Sequence, residues 1–66
     1  MQLTVNGAAH EHTGDPSIAA VLAALKAEPD RVALLLNGKF VARESRGAVR
    51  LRDGDVIEVI AFAAGG

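Results

Sequence analysis

Two Asn-Gly doublets, Asn6-Gly7 and Asn37-Gly38, bracket a single stretch of helical periodicity and constrain this chain more than any other feature. A two-residue hairpin loop of the favoured kind needs positive φ at both central positions, and Asn-Gly supplies this at little cost. Alternating residues flank each doublet. Gln2-Leu3-Thr4-Val5 places Leu3 and Val5 on one side of a strand, because successive side chains point to opposite faces. Ala8 to Thr13 is then the return strand. Val32, Leu34 and Leu36 alternate before the second doublet, and Lys39-Phe40-Val41-Ala42-Arg43 returns after it. Between the hairpins, Ile18, Val21, Leu22 and Leu25 recur at i, i+3, i+4 and i+7, one apolar face of a helix. Asp15 is the expected N-cap, with Pro16 in the first helical position. Pro29 is expected to end the helix by Glu28, since a residue before proline avoids helical angles.

The remainder completes a small α+β domain. Ser45 to Leu51 carries no clean period and reads as a connection with a short helical turn. Asp53-Gly54-Asp55 turns the chain into a last strand, Val56 to Phe62. Two hairpins around one helix, ββαββ, followed by that last strand, resemble the β-grasp (ubiquitin-like) layout, one mixed sheet packed on one helix. Its expected extent is residues 1–62, with 63–66 as a flexible tail. A chain of 66 residues has room for one small core, and without cysteine no disulfide can staple it. Half the residues are hydrophobic but only two are aromatic, so the core is aliphatic.

Glu58 orients the last strand. With its carboxylate in water, Ile57, Val59 and Ala61 turn to the helix, while Val56, Ile60 and Phe62 share the outer face. Ala33 and Leu35 lie outward on the preceding strand by the same rule. Leu35, Ile60 and Phe62 therefore form an apolar cluster beside the tail, an expected docking patch for a partner. The tail itself is Ala63-Ala64-Gly65-Gly66. Glycine has no Cβ, so such a segment threads a narrow channel, with Ala63 and Ala64 small enough to follow. Such a tail is suited to carrying the Gly66 carboxylate into another protein's active site. By chance alone a chain ends in two glycines about once in 200 cases, so the doublet gains meaning only from its surroundings.

Other constellations are read as structural. A net charge of −1 with no tyrosine or tryptophan argues against nucleic acid as a partner. No secretory signal or membrane-spanning run is present, so the expected location is the cytoplasm. His10 and His12 share a strand face, but two ligands without a third do not make a zinc site, and no metal is expected. Arg43, Arg46, Arg50 and Arg52 are interrupted by Glu44 and read as a solvated stretch. Asp53 and Asp55 flank Gly54 as turn residues. Ser17 lacks a base partner and fits a helix N-terminus. No residue set here makes an enzyme.

Taken together, the residues resemble the ThiS family over essentially the whole chain. The resemblance rests on Val5-Asn6-Gly7, the helix with Val21-Leu22 and Leu25, and Leu36-Asn37-Gly38-Lys39-Phe40-Val41-Ala42-Arg43. It continues through Leu51-Arg52-Asp53-Gly54-Asp55-Val56-Ile57-Glu58 to Gly65-Gly66. Ala42 stands where the family often has proline, and residues 45–49 match nothing distinctive. The resemblance implies a sulfur carrier of thiamine biosynthesis that binds no cofactor itself. A ThiF-type adenylyltransferase using ATP and Mg would activate the Gly66 carboxylate. Sulfur from a donor such as a cysteine desulfurase would convert it to a thiocarboxylate, and thiazole synthase (ThiG) would receive the sulfur. The alternatives are a carrier for molybdopterin or cysteine synthesis, a ubiquitin-like modifier, or a β-grasp binding module with an incidental Gly-Gly.

Overall fold

A computed structural model describes residues 1–62. Strands β1 (Gln2–Val5) and β2 (Ala8–Glu11) form the first hairpin, followed by helix α1 (Ile18–Ala24) and a 3-10 turn, Pro29–Arg31. Strands β3 (Val32–Leu36) and β4 (Lys39–Phe40) form the second hairpin, then come a 3-10 segment, Arg43–Ala48, and β5 (Val56–Ala61). The sheet runs β2-β1-β5-β3-β4. Only the β1–β5 pairing is parallel, so the sheet is mixed, as expected from the strand order.

Both Asn-Gly turns form where the sequence puts them, with φ of 50° and 82° at Asn6 and Gly7 and of 52° and 83° at Asn37 and Gly38. Their asparagine side chains also hold the last strand. Asn37 accepts from the Val56 N–H through Oδ1 at 2.9 Å and donates to Asp55 Oδ1 at 3.1 Å. On the other side of β5, Asn6 donates its N–H to the Ile57 carbonyl, and its Oδ1 accepts from the Val59 N–H at 2.8 Å. Two turns chosen for backbone angles thus double as clamps on β5.

The core lies between sheet and helix. Leu3, Val5, Ile18, Val21, Leu22, Val32, Leu34, Leu51 and Ile57 are buried. Helix α1 is shorter than its periodicity predicts. Its N-cap is Ser17, whose Oγ accepts from the Ala20 N–H at 3.1 Å, and not Asp15. The residues before it are held extended: the His12 ring contacts the Asp15 carbonyl, Leu51 donates to Pro16, and Ser17 bridges Arg50. At the other end the helix stops at Ala24, well before Glu28. Lys26 takes a left-handed φ of 58°, and its N–H and that of Ala27 donate back to Ala23 and Leu22. These paired bonds close the helix in the manner glycine usually serves. Pro29 then opens a 3-10 turn.

Strands β2, β4 and β5 are also shorter than expected. For β4 the cause is visible in the arginines that read as solvated. Half-buried Arg46 donates to the carbonyls of Pro29 (2.9 Å) and Val32 (2.7 Å), and Arg43 pairs with Asp30. These contacts draw residues 43–48 across the loop before β3 and away from a continuing hairpin. Ala61 faces the helix side as expected but stays exposed, because β5 runs past the ends of both β1 and α1.

Candidate functional site

Strand pairing decides which apolar side chains meet on the outer face of the sheet. Leu35 lies opposite Phe40 on one side and Glu58 on the other, and Ile60 lies opposite Ala33. Cross-strand partners on one face stand close enough to touch, and diagonal ones are within reach of long side chains. Phe40 is 67% exposed and Ile60 49%; Leu35 is half-buried next to Phe40, and Val56 is exposed further along the same face of β5, with Glu58 between it and Ile60. Four apolar residues in this density on one face of so small a domain make a surface suited to a protein partner.

The expected cluster of Leu35, Ile60 and Phe62 is therefore partly redrawn. Leu35 and Ile60 come together through β3 and β5. Phe62 follows the strand, is 60% exposed, and donates its N–H to the Arg31 carbonyl at 2.9 Å. It borders a groove on the helix side of β5. Phe40 was absent from the sequence-derived cluster, because alternation within one strand does not reveal the register of its neighbour. Ala63, Ala64, Gly65 and Gly66, the other expected site residues, lie outside the described residues.

The histidines have a structural explanation. His12 is buried, its Nε2 lies 2.8 Å from the Asp15 carbonyl, and its ring stacks on His10 at 6.2 Å between centroids. The charged amino terminus of Met1 donates to the His12 carbonyl and to Glu11. This network ties the free end of β1 to β2. Among the described residues, no group of three or more His, Cys, Asp or Glu side chains is arranged to hold a metal. Nor is any helix among them long and apolar enough to cross a membrane. What the described site offers is an apolar face on the outer side of the sheet and a last strand followed in the sequence by residues 63–66.

The profile of the ThiS family matches residues 3–66, nearly the full chain and through its last residue. The chain belongs to the ThiS family. Its fold is the β-grasp of that family's solved structures. A crystal structure of the thiamine biosynthesis protein ThiS from Geobacter metallireducens is 38% identical, and the match covers 100% of both chains with a TM-score of 0.82. A solution structure of a thiamine biosynthesis protein from the same organism is 36% identical, covering 100% of this chain and 88% of that one, with a TM-score of 0.79. Two proteins named thiazole synthase also match along all 66 residues. The one from Paramagnetospirillum magneticum is 32% identical and the one from Magnetococcus marinus 35%. This ThiS-family chain spans only 20% of the length of each.

Proposed function

We propose that this chain is a sulfur carrier for thiamine biosynthesis and that the Gly66 carboxylate carries the sulfur. The observation that supports this most is the family match itself, which runs through Gly65-Gly66 on a domain of the same fold. A carboxylate is a poor electrophile. A ThiF-type enzyme would join it to AMP from Mg-ATP, releasing pyrophosphate and leaving an anhydride with a good leaving group. A persulfide sulfur then attacks the carbonyl carbon and the bond to AMP breaks. A thiol cleaves the resulting S–S bond, and the thiocarboxylate departs. Thiazole synthase takes that sulfur into its product.

In this reading the chain is a protein substrate, and the acid–base groups and nucleophiles belong to its partners. Val56, Ile60, Leu35 and Phe40 supply a docking face, Phe62 marks the base of the tail, and Ala63 to Gly65 let it thread. The two matching thiazole synthases favour a synthase as the sulfur acceptor, since each carries a region similar to this chain within its own sequence. The reading is tested in cells that lack their own carrier and grow only with added thiazole. Expression of this chain is expected to restore growth without the supplement, and deletion of Gly66 to abolish that rescue. Equal rescue by the deleted form, present at the same level, would overturn the reading.

A further inference from the structure

The two sides of β5 are not equally covered. On the β3 side the ladder runs the full length, from Ile57 opposite Leu36 to Ala61 opposite Val32. On the β1 side it stops early, because β1 pairs only Thr4 with Val56 and Val5 with Ile57 before the Asn6-Gly7 turn carries the chain away. Main-chain groups of alternate residues point to alternate neighbours. Asp55 and Ile57 accept from Thr4 and Asn6, while the Phe62 N–H serves Arg31. The odd-numbered residues of β5 therefore face the β1 side. Asn6 Oδ1 extends that pairing by one bond, to the Val59 N–H. Beyond it, the Val59 carbonyl and the Ala61 N–H have no partner among the described residues.

A groove of about 500 Å³ opens at this notch. Its apolar lining includes Val5, Leu25, Ala27 and Val59, and Lys26 and Arg31 stand at its rim against a single acid, Glu28. A polar backbone edge beside an apolar floor matches an extended main chain with alternating side chains, and not a compact apolar body. One residue of an added strand in line with β1 would satisfy both open groups, donating to the Val59 carbonyl and accepting from the Ala61 N–H.

The geometry points to this notch as the seat of an extended segment from a protein partner, added as a strand beside the outer half of β5. Its side chains are apolar toward Val5, Leu25 and Ala27, with a carboxylate meeting Lys26 and Arg31. The partner is the thiazole synthase of the carrier reading, on which this inference rests. The mode places the partner's main chain next to Phe62, so that docking and tail delivery share one strand.

Proline at position 61 removes only the outward N–H and leaves the β3 ladder intact, since proline is accepted where a strand's N–H faces away from its neighbour. Ala61→Pro is expected to bind a separately purified thiazole synthase at least ~10-fold more weakly, a loss of about 1.4 kcal/mol, whereas Ala61→Ser, which keeps the N–H, binds as the parent does. Hydrogen exchange of the unaltered chain gives an answer that needs no variant to fold. The Ala61 amide is expected to become protected in the complex. A complex in which that amide still exchanges freely, or which Ala61→Pro forms with full affinity, overturns this inference alone. No complex with an active synthase overturns the carrier reading with it.

Discussion

Leu34→Ala is expected to lower the stability of the domain by about 3 kcal/mol, while Leu35→Ala one position along costs less than about 1 kcal/mol. The two leucines share a strand and differ in the face they occupy. Leu34 is fully buried opposite Val59, beneath the helix, so its removal leaves a cavity that the neighbours fill only in part. Leu35 is half-buried on the outer face beside Phe40. A domain of this length commonly has a total stability of about 3–10 kcal/mol, so the first change removes a large share of it. Urea denaturation of the two variants checks the contrast. Equal losses would mean that the outer face is packed as a second core and is not a surface held open for a partner.

If the chain is the carrier proposed above, Ile60→Asp is expected to weaken binding of a ThiF-type enzyme about 100-fold, or about 2.7 kcal/mol, with little effect on folding. Ile60 is half exposed, so a carboxylate there keeps its water in the free domain. In a docked complex it would be stripped of that water, two residues from Glu58 on the same face. The measurement is a titration of the enzyme with parent and variant chains, each shown to be folded. Unchanged affinity would remove Ile60 from the docking face.

Much of this architecture was legible in the sequence, for local reasons. Asn6-Gly7 and Asn37-Gly38 declare their turns because positive φ is a local demand. The alternation in β1 and β3 and the apolar stripe of α1 declare their buried faces in the same way. The failures are tertiary. Asp15 has the chemistry of an N-cap, yet its carbonyl is held by His12 and the neighbouring Pro16 by Leu51, so Ser17 takes the role. Nothing in the composition of Lys26 foretells a left-handed backbone. Arg46 reads as a surface cation until its two carbonyl partners, distant in sequence, are in place. The outer apolar face proposed for docking follows the same division: Ile60 and Leu35 come from alternation, whereas Phe40 requires the register between β3 and β4. The notch beside β5 was invisible too, because it arises from where a neighbouring strand ends.

The most direct test of the carrier account is the intact mass of the chain after incubation with a ThiF-type enzyme, Mg-ATP and a sulfur donor. The account predicts the exchange of one terminal oxygen for sulfur, preceded by an AMP adduct when the donor is withheld, and neither product from a chain lacking Gly66. An unchanged mass alongside an enzyme that activates its own carrier under the same conditions would contradict it.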